Sequence, residues 1–168
     1  MNNIISPTDL QLQDEFVVQI NRVSKSTTGG RRMKFNAIVV VGDGNSHVGI
    51  GFGKANEVAA AVNKAKEIAK KSIFKAPIVK GTIPHRVDIK YGSVRLMLKP
   101  ASPGTGIIAG AAVRSVMEQV GINNILTKRQ GSKNTMNLVH ATVSALFNLK
   151  DAVTIANKRG ISLKKVFN

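Results

Sequence analysis

The chain has 168 residues, 25 Lys plus Arg against 9 Asp plus Glu, and a formal net charge of +16. That length buries a core as one domain or two small ones, and a hydrophobic content of 43% excludes a disordered tail. The absence of cysteine excludes thiol catalysis, disulfides and cysteine-ligated zinc.

The opening stretch, residues 1–13, has an acidic balance and neither the basic start nor the apolar core of a signal peptide, so it reads as a poorly ordered leader. A cytosolic site follows by default. From Phe16 to Val23 apolar and polar residues partly alternate, which predicts a strand. The next segment, Asn21 to Phe35, holds five cations, the adjacent Gly29 and Gly30, and no carboxylate. It reads as a flexible, glycine-containing finger. Met33 to Gly44 is β-branched in its second half and ends on Asp43-Gly44, a tight-turn signal, with Ser46 to Gly53 as the returning strand. Gly49, Gly51 and Gly53 then share one face of the pleat, a face with no side chains that something approaches closely. A helix is expected over about 55–72, with Ala55, Val58, Ala59, Val62, Ala65 and Ala69 as its apolar stripe. Lys64, Lys71 and Lys75 on its other side read as a solvated face.

Two prolines and a glycine near residues 74–82 predict a linker and domain boundary. The second unit starts with a hairpin around Tyr91-Gly92. A glycine-rich loop follows and runs into a helix that ends at Gly121. Residues 122–131 read as a short strand and turn. Asn134 is placed as the cap of a helix with the stripe Met136, Val139, His140, Val143, Leu146 and Phe147, and Asp151 as the cap of a last helix stopped by Gly160. The result is α+β in two halves: residues 14–74 as three strands and a helix, residues 82–160 as strands mixed with helices, and a tail over 161–168.

The glycine motifs do not make nucleotide sites. The stretch 51–56, GFGKAN, has Val48 and Ala55 where the phosphate-loop pattern needs Gly and Ser or Thr. The stretch 104–110, GTGIIAG, lacks the acidic ribose ligand about 20 positions on that a dinucleotide site needs. Pro100, Gly104 and Gly106 resemble the phosphate loop of galactokinase and homoserine kinase relatives, but Ile107 and Ile108 stand where their serines do. Phosphoryl transfer therefore lacks its hydroxyls and its acidic metal ligand. His47, His85 and His140 lie far apart in sequence and in no metal-ligand spacing, so they read as surface or half-buried residues. No apolar run approaches a membrane span, and no catalytic set, metal or cofactor is called for.

A polyanionic partner remains, because a charge of this size is relieved most simply by nucleic acid or an anionic surface. Arg22, Ser24, Lys25, Gly29, Gly30, Arg31, Arg32 and Lys34, with Lys54 on the following strand, are the candidate contacts. Lys and Arg neutralise phosphates, and aromatics at 4% are too few for base stacking to dominate, so structured RNA fits better than a single strand.

The stretches VVVGDGNSHVGIGFGKA (39–55) and PASPGTGIIAGAAVR (100–114) are long and specific, and residues 14–160 resemble the family of the bacterial small-subunit ribosomal protein S-five. The resemblance implies a double-stranded-RNA-binding-like first half and a βα second half of the type shared with those kinases. It implies a structural, non-enzymatic, cytoplasmic component of the small ribosomal subunit. Such a component binds ribosomal RNA, steadies the head against the body and contributes to decoding accuracy near the messenger RNA entry. It further implies ribosomal proteins four and eight as neighbours, with Gly104, Gly106 and Arg114 facing protein four. The finger would then reach ribosomal RNA of the head and border the spectinomycin site. The alternative reading is a free double-stranded-RNA-binding regulatory protein.

Overall fold

In a computed structural model of the chain, residues 15–166 are described. The leader and the last two residues of the tail lie outside the described residues. Strand β2 (Gly30–Gly42) organises the first half, because its apolar run serves two cores at once. Ala37, Val39 and Val41 face helix α1 (Val58–Lys71), whereas Ile38 and Val40 face the second half of the chain. A strand covered on both faces reads as a continuous β-branched run rather than as alternation. Each fully buried valine contributes about 1.5–3 kcal/mol.

Around β2 the antiparallel order is β1 (Phe16–Thr27), β2, β3 (His47–Ala55) and β4 (Phe74–Lys75). Helix α1 lies on the glycine face of β3. A Cβ built at Gly49, Gly51 or Gly53 would overlap the carbonyl oxygen of Ala69, Ala65 or Ala61 in turn, so the group that approaches this backbone is the helix itself. This shifts the expected stripe. Ala61, Ala65 and Ala69 are the buried residues, while Val58 and Ala59 turn outward, because only alanine fits against glycine at that distance. Ala55 belongs to β3, paired with Phe35, and the helix starts three residues later than the sequence suggests.

The second half builds a sheet in the order β5 (Val87–Tyr91), β6 (Val94–Pro100), β8 (Ile125–Gly131), β7 (Ile107–Ile108), with β7 parallel to β8. Helices α2 (Ala111–Val120) and α3 (Thr135–Phe147) pack on one face of it. Gly121 ends α2 in the left-handed conformation, φ 87°. The Asn134 side chain accepts from the Asn137 N–H at 3.3 Å, as its capping role requires. Asp151 takes the N-cap position of α4 (Ala152–Arg159), but its side chain makes no capping bond. Residues 163–166 of the tail form the short helix α5 (Leu163–Val166). In α3 the buried set is wider than one stripe. Leu138, Ala141, Thr142 and Ala145 join Val139 and Leu146, since the helix meets β5, β6, α2 and β3 together, and Phe147 is 55% exposed with its ring edge on Phe74.

The expected linker is packed. Ile73, Phe74, Ala76 and Ile83 are buried, β4 pairs with β3, and Val79 bridges Thr82. The halves are joined through the β2–β3 turn as well. Gly44 N–H donates to Gln119 O at 3.1 Å and Ser46 N–H to Val120 O at 2.9 Å, so the turn satisfies carbonyls that the C-terminus of α2 leaves free.

Asp43 shapes that turn. Its carboxylate accepts from the N–H groups of Asn45 and His47, at 2.7 and 3.0 Å, and meets the His47 ring at 2.5 Å. Burial alone would raise its pKa. The hydrogen bonds from the His47 ring and the two backbone amides outweigh burial and hold the group below its ordinary 3.8. Asp43→Ala is expected to cost about 1.5–3 kcal/mol, the range for hydrogen bonds to a charged group. Because the folded pKa is depressed, the carboxylate's contribution is complete above the ordinary value and is lost as pH falls through the lowered one. Unfolding curves of the wild type and the variant should therefore converge in acid and separate above about pH 5.

Candidate nucleic-acid interface

The finger is not a flexible loop. Strands β1 and β2 stay paired through Lys25↔Arg32, Ser26↔Arg31 and Thr27↔Gly30, and only Thr28 and Gly29 form the turn. Thr27 Oγ1 donates to the Gly30 carbonyl at 2.8 Å, and Gly30 sits at φ 125°, a value that glycine alone adopts without strain. The sequence signal stops at Val23 because the outer part of β1 is polar on both faces and shows no alternation to read.

Register sorts the candidate residues onto two faces. Lys25, Arg32 and Lys34 share one face with Lys54, which the Asn36↔Lys54 pairing brings in from β3. With Val23 and Thr27 they line a concavity of about 450 Å³. Arg22, Ser24 and Arg31 point by register to the opposite face with Ser26 and Met33. Arg22, Ser24, Lys25, Gly29, Gly30, Arg31, Arg32, Lys34 and Lys54 are all exposed. Among the described residues none of their cations pairs with a carboxylate. A ribbon that carries cations on both faces and lacks anions presents a positive potential all round its tip. Thr27, a hydroxyl on the cationic face, does not stand out in the sequence. Strand register is the missing signal.

Gly104, Gly106 and Arg114 form a second, separate locus. Gly104 and Gly106 take φ values of 92° and 75° in the turn before β7. The Gly106 N–H donates to Asn124 Oδ1 at 3.1 Å, and Arg114 reaches back from α2 to donate to the Ile107 carbonyl at 2.9 Å. Ile107 and Ile108, which stand where the kinase loop has its serines, are strand residues paired with Ile125 and Leu126. The nearby hydroxyls are engaged, Thr105 with Ser102 O and Thr127 with Ile108 O. In the GFGKAN stretch residues 51–55 belong to β3 and only Asn56 lies beyond it, so the segment is extended strand and not a loop.

The histidines have structural partners. His47 meets Asp43, as described. His85 accepts the Lys150 N–H at Nε2 and donates from Nδ1 to the Arg86 carbonyl. His140 stacks on Tyr91 at 5.4 Å, and burial lowers its pKa. Among the described residues no group of three or more His, Asp or Glu is placed to hold a metal, and no helix is long and apolar enough to cross a membrane.

A two-part α+β body and a paired, exposed ribbon of unpartnered cations fit the class of RNA-binding proteins. Comparison with known proteins gives the family. The N-terminal domain of ribosomal protein S5 matches residues 13–77, and the C-terminal domain of the same protein matches residues 89–159. The small ribosomal subunit protein uS5 of Bacteroides thetaiotaomicron is 51% identical over 168 residues, covering 99% of this chain and 97% of that protein. The uS5 proteins of Flavobacterium psychrophilum and Salinibacter ruber are each 51% identical, over 98% and 90% of this chain and 94% and 87% of their own lengths. The chain belongs to the ribosomal protein S5 family. It is a structural, rRNA-binding constituent of the small ribosomal subunit in the bacterial cytoplasm, and not an enzyme. The full-length match favours this over the free double-stranded-RNA binder.

Proposed function

We propose that the chain steadies the head of the small subunit against its body, and that the β1–β2 ribbon is the strut that reaches the RNA of the head. The observation that carries this reading is the continuous pairing from Gln19↔Ile38 out to Thr27↔Gly30, beyond a register shift between Val17 and Gln19, which holds the cations on a two-stranded lever. Arg22, Lys25, Arg31, Arg32, Lys34 and Lys54 neutralise phosphates, and Ser24, Gly29 and Gly30 let the backbone come close to them. The loop at Gly104 and Gly106, held by Arg114, faces ribosomal protein four. Protein eight and the messenger entry lie nearby. Through its packing on protein four the chain affects decoding accuracy.

The loop supplies the test. Side chains at Gly104 or Gly106 would enter open space, yet both positions lie at positive φ, where a non-glycine residue costs about 1–2 kcal/mol. Gly104→Val and Gly106→Val are therefore expected to distort the loop and spare the first half. Subunits carrying either variant should assemble normally and change the frequency of near-cognate and stop-codon misreading in a reporter assay. Normal assembly with unchanged misreading for both variants would remove the accuracy role of this loop.

A further inference from the structure

The second sheet buries one face under α2 and α3, and among the described residues nothing covers the other. On the open face, register sets Lys90 directly opposite Arg95, and Lys128 opposite Met97 two positions along β6 from Arg95. Lys99 continues the row on β6. Among the described residues the one carboxylate on this face is Asp88, and Arg86 takes both of its oxygens, at 2.7 and 3.1 Å. Lys90, Arg95, Lys99 and Lys128 are exposed, and none pairs with a carboxylate among the described residues.

Like charges placed directly opposite across two strands are destabilising. Lys90 facing Arg95 is thus a cost to the free fold that an anion removes. The two residues line, with Lys128, an open concavity of about 380 Å³ on the sheet. Among the described residues no aromatic side chain belongs to this face; Tyr91 pairs with Val94 on the covered side and stacks on His140. A surface without stacking platforms suits the sugar–phosphate backbone of folded RNA better than splayed bases. We propose that this sheet face is a second RNA-backbone binding surface, independent of the ribbon.

The test uses the full chain and a 20-base-pair RNA duplex as probe. Three proteins are compared with wild type: Lys90→Gln/Arg95→Gln/Lys128→Gln, Arg31→Gln/Arg32→Gln on the ribbon, and the combination. Each phosphate that the protein no longer neutralises should reduce the slope of log affinity against log salt by about 0.7–0.9. The sheet triple should therefore lower the slope by about two, and the combined variant should add the ribbon's share to it. Arg95→Gln alone serves as the folding control. It removes the like-charge opposition, so its melting temperature should equal or exceed the wild-type value. A wild-type slope for the sheet triple, alongside a reduced slope for the ribbon variant, overturns the proposal and leaves the ribbon reading intact. A wild-type RNA slope combined with loss of the triple from salt-washed small subunits assigns the face to an acidic protein and also overturns it. Unchanged slopes for all three variants would overturn this proposal and the ribbon reading together.

Discussion

Gly51→Ala is expected to destabilise the protein by about 3 kcal/mol or more, at or above the upper end of the usual cost of overpacking a core. A single methyl group at this position would overlap the Ala65 carbonyl and crowd the Ala69 amide, and both belong to the backbone of α1. Backbone in the middle of a helix cannot rotate away as a side-chain end does. The helix would have to lift off β3 and uncover Ala37, Val39 and Val41. Small domains are stable by only about 5–15 kcal/mol in total, so such a loss leaves a substantial unfolded fraction. Gly29→Ala is the control. Its Cβ would meet nothing within 4 Å, and a change within about 0.5 kcal/mol is expected. Urea unfolding of the two variants measures the contrast. Equal stabilities would mean that α1 does not rest on the glycine face.

That contrast bears on what was legible in the sequence. The glycine row 49–51–53 was readable because strand period alone puts alternate residues on one face. What covers it is not readable, because hydrophobicity favours Val58 over Ala61 in a helix stripe, whereas the close approach selects for small size. The Asp43-Gly44 turn, the Asn134 cap and the Gly121 stop were legible from local chemistry that acts within three or four residues. Strand β4 and the packed 74–82 segment were not. Their order comes from Val48, Ser46 and Asn123, partners far away in sequence. At the candidate interface, composition picked out the cations of the finger. Only register could divide them between two faces and add Lys54 to one of them.

Removing Thr27 to Gly30 takes two residues from each strand of the ribbon, with Ser26 and Arg31 becoming the new turn. At about 3.4 Å per residue the tip withdraws by about 7 Å, and no charge is removed. The sheet below keeps its pairs from Phe16 to Lys25 and its cover by α1, so the first half should fold. If the ribbon is a strut, the shortened protein binds RNA with near wild-type affinity and salt slope, yet gives subunits with a more mobile head and an altered response to spectinomycin. Arg31→Gln/Arg32→Gln should act the other way. The lever keeps its length, while affinity and its salt slope fall together, by up to about 0.7–0.9 log units of slope for each phosphate released. Because Arg31 and Arg32 lie on opposite faces of the ribbon, each single substitution tests one face, and equal effects would mean that RNA surrounds the tip. A shortened protein that matches wild type in drug response and head mobility would reduce the ribbon to a patch of charge, since the deletion shortens the ribbon and keeps every cation.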